Sequence, residues 1–94
     1  MTWLEIIEVR SAEGNNKFLE SQMQKLVNEV NGGAKENAVR AYCRLMIDTD
    51  FSIHLFHDSE KVEKSGSALG LRTASALKEF GLVNHNIWVE MYSK

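Results

Sequence analysis

The sequence predicts an α+β fold in the order strand, helix, strand, strand, helix, strand. Three observations predict it. Four stretches carry apolar residues in strand fashion, two carry them at helical spacing, and polar or glycine-bearing segments separate them. Two helices can cover only one face of a four-stranded antiparallel sheet, so the same pattern predicts a second, open sheet face.

The first strand spans residues 3–10, with Leu4 and Ile6 on one side and Ile7 and Val9 on the other. A strand apolar on both sides is covered on both. Either Trp3/Glu5/Ile7/Val9 or Leu4/Ile6/Glu8/Arg10 falls on the open face. After a polar loop, Leu19, Met23, Leu26, Val27 and Val30 form one helical stripe. Asn15 or Asn16 is placed to cap this helix, and Gly32 and Gly33 to end it.

Residues 39–48 alternate, with Val39, Ala41, Cys43, Leu45 and Ile47 against Arg40, Tyr42, Arg44 and Met46. Residues 51–57 alternate as well, with Phe51, Ile53 and Leu55 against Ser52, His54 and Phe56. A three-residue loop at Asp48, Thr49 and Asp50 pairs Ile47 with Phe51 and Cys43 with Leu55, because a one-residue slip would exchange the faces. That register sets Arg44 opposite His54 and Tyr42 opposite Phe56. Residues 58–64 read as a charged loop or one helical turn. A second helix over residues 67–80 has the stripe Leu69, Thr73, Ala76, Leu77 and Phe80, and Gly81 suits its stop. The last strand covers residues 87–92, with Ile87, Val89 and Met91 against Trp88, Glu90 and Tyr92.

Length and composition bound what the chain can do. Its 94 residues make one domain, residues 1–94, with 44% apolar and 26% charged residues. A core this small leaves a thin stability margin, which pairing with a second copy widens. A net charge of −2 argues against nucleic-acid binding, which needs a basic face. No apolar run is long enough to span a membrane, and the first residues lack the basic and apolar regions of a secretory signal. A single cysteine, Cys43, makes no intramolecular disulfide. The expected location is the cytoplasm.

The open face collects Arg40, Tyr42, Arg44, His54, Phe56, Trp88, Glu90 and Tyr92. It holds too much aromatic surface to stand in water as one patch. Element order, length and this mixed face resemble the dimeric α+β barrel superfamily of ferredoxin-like fold, whose best-known branch is the antibiotic-biosynthesis-monooxygenase-like domains. The resemblance covers residues 3–92 and is one of architecture. It implies two sheets packed face to face in a homodimer, with ligands inside the barrel or between sheet and helices. It also implies cofactor-independent oxygenation of aromatic polyketides, haem degradation or isomerisation as the activities to consider. Asn84, His85 and Trp88 do not follow the spacing of the haem-degrading branch, so no haem is expected.

Each chemical candidate has a plainer reading beside it. His54 and His57 point to opposite faces of one strand, so they do not share a metal ion, and no metal is expected. His85 reads as an exposed turn residue. Residues 66–73 open a helix with two glycines and Arg72, which suits an anion, although glycine also permits close helix packing. Cys43 falls on the helix-facing side, where a buried thiol is inert.

Two functional readings remain. In one, His54 is a general base and Arg44 holds an enolate of a small aromatic or enolic compound, with Arg40, Tyr42, Phe56, Trp88, Glu90 and Tyr92 binding it. In the other, the protein is a non-catalytic ligand-binding or regulatory dimer in which Arg40 and Arg44 pair with Glu90 or Glu5 of the partner sheet.

Overall fold

A computed structural model describes residues 2–12, 16–33 and 38–91. Its elements are β1 (Thr2–Ser11), α1 (Asn16–Gly33), β2 (Val39–Arg44), β3 (Ile47–Asp58), α2 (Ala68–Leu77) and β4 (Gly81–Val89). The strands form one antiparallel sheet in the order β2-β3-β1-β4. This is the ferredoxin-like βαββαβ arrangement that the pattern predicts. None of the helices among the described residues is long and apolar enough to cross a membrane.

β1 lies inside the sheet because it is apolar on both sides. Trp3, Glu5, Ile7 and Val9 are buried toward the helices, which leaves Leu4, Ile6, Glu8 and Arg10 to the open face. The core joins Ile7 and Val9 to Ile53 and Leu55 of β3, Leu19 and Met23 of α1, and Ala74 and Leu77 of α2. Leu26, Val27 and Val30 pack against it at the edge, as the stripe of α1 requires.

The β2–β3 hairpin departs from the expected register. Its turn is Leu45–Met46, with Met46 at φ 68°, and β3 already begins at Ile47. Cys43 therefore pairs with Phe51 rather than Leu55, and Arg40 rather than Arg44 lies opposite His54. Tyr42 lies opposite Ser52, and a bulge separates Cys43 from Arg44. Each partner has moved by four residues. An even shift keeps every side chain on its face but changes its neighbours.

The helices cover β1 and β3 but leave the outer part of β2 bare. Cys43, expected to be buried, is exposed, and Leu45 and Met46 are 86% and 93% exposed. α2 ends at Leu77, and the residues expected to complete it form the turn into β4. β4 starts at Gly81, well before Ile87, so His85 is a strand residue. The reason for glycine at 81 is space. A Cβ there would stand 1.8 Å from the Arg10 carbonyl oxygen of the neighbouring strand.

Gly81→Ala is accordingly expected to destabilise the fold by about 1–3 kcal/mol, the usual range for overpacking. Urea unfolding measures it, and an unchanged midpoint would contradict the close strand approach.

Candidate functional site

Three features could carry function: a buried carboxylate cluster, the open sheet face and a groove between the helices. The cluster centres on Glu5, whose side chain is fully buried between the sheet and the start of α2. Ser67, the N-cap of α2, accepts the Gly70 amide hydrogen on Oγ at 3.0 Å. It also reaches Glu5 twice, donating its backbone N–H to Oε1 at 3.0 Å and its hydroxyl to Oε2 at 2.5 Å. Two imidazoles complete the shell: His57 Nε2 lies 2.6 Å from Oε2 and His85 Nε2 lies 2.7 Å from Oε1. Trp3 stacks on His57 at 4.0 Å between ring centroids and donates its indole N–H to Ser59.

The glycines of residues 66–70 now have a cause. A Cβ on Gly70 would lie 1.9 Å from Glu5 Oε1, and one on Gly66, which has φ +105°, would meet His85 and Glu5. The anion suited to this helix start is thus supplied by the chain itself. Arg72 lines the groove between the helices instead. His85, expected in an exposed turn, is largely buried against Glu5. Glu5 is turned away from the open face and cannot meet a partner's arginine there.

Burial by itself would raise the Glu5 pKa. The bonds from Ser67, His57 and His85 outweigh it and hold the carboxyl below its ordinary value of 4.5. An ionised carboxylate only accepts hydrogen bonds, so both imidazoles carry a proton on Nε2. Among the described residues, no group of three His, Cys, Asp or Glu side chains could hold a metal ion. His57 and His85 each close directly on Glu5.

The open face is organised in rows across the strands. Phe56, Leu4 and Trp88 are register partners on β3, β1 and β4, and they form an apolar row. Arg40, His54, Ile6 and Asn86 form the next. Trp88 is 57% exposed, and Phe56 and Tyr42 are exposed as well. The Arg40 guanidinium stands over the Phe56 ring at 5.6 Å. His54 lies 4.5 Å from the Tyr42 ring centroid and 3.2 Å from Ser52 Oγ. Burial lowers the His54 pKa, and the Glu8 charge works weakly against it.

Arg44 does not join His54. It bonds Asp50 at 3.2 Å, and Arg10 bonds the other oxygen at 3.1 Å. The Arg10 bond is the main reason the Asp50 carboxyl lies below its usual range; slight burial opposes it, and Arg44 and Thr49 add to it. Glu90 lies just past β4, its amide still bonded to the Thr2 carbonyl. Tyr92 lies outside the described residues.

The groove separates α1 from α2 and has a volume of about 530 Å³. Met23, Leu26 and Val30 form one wall, Thr73 and Ala76 the other, and Ile53 the floor. Lys25, Glu29 and Arg72 stand around it. Its size lies within the range of small-molecule sites, 300–1,000 Å³ or so.

Comparisons with protein-family models, curated proteins and solved structures give no significant match. The functional reading therefore rests on this geometry.

Glu5→Gln is expected to lower the unfolding free energy by about 3 kcal/mol at pH 7, since it removes the charge from a buried, fully bonded site. The sign with pH follows from the depressed pKa. The stabilisation is complete above the ordinary value of 4.5 and is lost as pH falls through the lower folded value. Urea titrations of both proteins from pH 7 to 3 should show their difference shrinking in acid. A constant difference would refute the assignment.

Proposed function

We propose that this chain is a homodimeric ligand-binding domain. Its open sheet faces pair with each other, and the groove between α1 and α2 takes a small apolar molecule bearing an anionic group. The groove is the observation that carries this reading. Its walls are mostly apolar with polar groups at the margin, as in small-molecule sites, and Lys25 and Arg72 outweigh Glu29 by one positive charge. A flat aromatic or enolic acid fits that chemistry: the ring lies against Leu26 and Ala76, and the carboxylate or enolate meets Arg72. The exposed free thiol of Cys43 accords with a cytoplasmic setting.

Dimerisation is supported by the row of Phe56, Leu4 and Trp88, which the helices of the same chain cannot cover. About 800 Å² buried per partner would suffice for a stable interface. Light scattering at micromolar concentration should give twice the chain mass, and Trp88→Ala should weaken the dimer by about 2 kcal/mol or more, as large aromatic anchors do. A monomer in the wild type would remove this part of the proposal. Naphthalene-2-carboxylate should shift the methyl NMR signals of Met23 and Ile53, and Ala76→Trp should abolish those shifts by filling the groove. Shifts confined to other residues would locate binding elsewhere.

A second reading is favoured by His54. In it the protein is a monooxygenase-like enzyme of the antibiotic-biosynthesis kind, with His54 as general base. Its half-buried ring has a lowered pKa, and a neutral imidazole is what a base requires. In this reading Arg40, across the register from His54, takes the role first expected of Arg44. A ring-nitrogen NMR titration should place His54 below the ordinary histidine value of 6.5. A value above it would end the base assignment.

A further inference from the structure

We infer that Glu5 is the positioning residue of the groove: through Ser67 it holds the first turns of α2 at a set distance from α1, so that ligand affinity is controlled from a carboxylate the ligand does not touch. This rests on the groove reading above.

The chain of contacts is short. α2 is tied at its start by two bonds from its cap, Ser67, to Glu5 of β1, the strand inside the sheet. Thr73 and Ala76, which wall the groove, follow within three turns on the same rigid helix. Leu69 lies two residues beyond Ser67 and also lines the groove. Gly70, one residue further, is the point where the helix closes down on the carboxylate, with no room for a Cβ. The far end of α2 is held independently, by Leu77 in the core and by the Ala12 amide on the Phe80 carbonyl at 2.7 Å. The opposite wall, α1, takes its place from Leu19 and Met23 in the core. Loss of the Glu5 bonds thus frees one end of one wall and leaves the rest in place.

The groups around Glu5 keep the tie in a single state. Among the described residues, the titratable side chains bonded to it are His57 from β3 and His85 from β4, while α2 presents the uncharged Ser67. All four bonds are donated to the carboxylate. A proton on Glu5 would turn one acceptor oxygen into a donor, so the full set of four donated bonds requires the ionised carboxylate. β1 flanks it with Trp3 and Ile7, which carry no charge.

The test uses Ser67→Ala in the full-length chain, with Glu5→Gln beside it. Ser67→Ala removes one donor to Glu5 and the cap of α2 but leaves the buried charge paired with both histidines. Affinity for naphthalene-2-carboxylate, read from the Met23 and Ile53 methyl shifts, should fall roughly tenfold, or about 1.4 kcal/mol. Amide exchange should quicken in α2, at Leu71, Thr73 and Ala74, but not in α1. Ser67→Thr, which restores the hydroxyl, should recover both. A merely structural loss would speed exchange in both helices alike and would overturn the inference. So would a folded Ser67→Ala protein with wild-type exchange in α2. If the probe moves no groove methyl in the wild type, the groove reading itself fails. Exchange in α2 of Glu5→Gln, which keeps the Ser67 cap, then judges the Glu5 tie alone: selective quickening upholds it, and no change overturns it.

Discussion

An ionised carboxylate enclosed by an apolar core is tolerable only when its acceptor sites are filled, because its desolvation costs several kcal/mol. Glu5 meets that condition with four donors drawn from three elements besides its own strand. Much of the layout around it follows. The start of α2 must bring an amide and a hydroxyl to one point, so Ser67 stands at the cap. The backbone must approach to within hydrogen-bonding distance, so residues 66 and 70 lack side chains. β3 and β4 must each offer a donor on the helix side, which fixes His57 and His85 on that face. Trp3 closes the cluster from the outer side by stacking on His57.

The two faces of the sheet answer different demands. The helix side is a core in the usual sense at its centre, with Ile7, Val9, Ile53 and Leu55 beneath Leu19, Met23, Ala74 and Leu77. Each helix brings one narrow apolar stripe, so coverage stops short of the outer half of β2, and Leu45 and Met46 are left at the bare tip of the hairpin. The space between the stripes is the groove. The open side is graded along the strands. The apolar row of Phe56, Leu4 and Trp88 gives way to Arg40 and His54, and then to the Arg10–Asp50–Arg44 network. A face built this way suits pairing with a second surface at its apolar end, with charges to set the alignment.

The sequence pattern made the layers legible but left several neighbours hidden. The alternation of β2 and β3 assigned Tyr42, His54 and Phe56 to the open face correctly, because faces depend on parity alone. It could not place the hairpin turn. Asp48–Asp50 has turn chemistry, yet Asp50 is held within β3 by Arg10 and Arg44, and the chain reverses at Leu45–Met46, an apolar pair with no turn signature. The intended pairing of Arg44 with His54 was lost through that displacement. The Glu5 cluster did leave a trace. Trp3, Glu5, Ile7 and Val9 carry one charge where Leu4, Ile6, Glu8 and Arg10 carry two, so the first set is the better candidate for burial. A buried carboxylate and a glycine-flanked serine at a helix start are complementary needs. Their partnership spans 62 residues, and periodicity reports only on residues close in the chain.

What the sequence determined by itself is the order of elements, the α+β class and the face on which most strand residues stand, since these follow from side-chain spacing along a local backbone. The tertiary structure alone decided which residues meet: Glu5 with Ser67, His57 and His85; Arg40 rather than Arg44 with His54; and the groove between two helices that each look complete in sequence. Those outcomes depend on how strands slide past one another and how far helices stand apart. Both are settled by the summed satisfaction of buried polar groups and packed volumes across the whole chain, a quantity no local window contains.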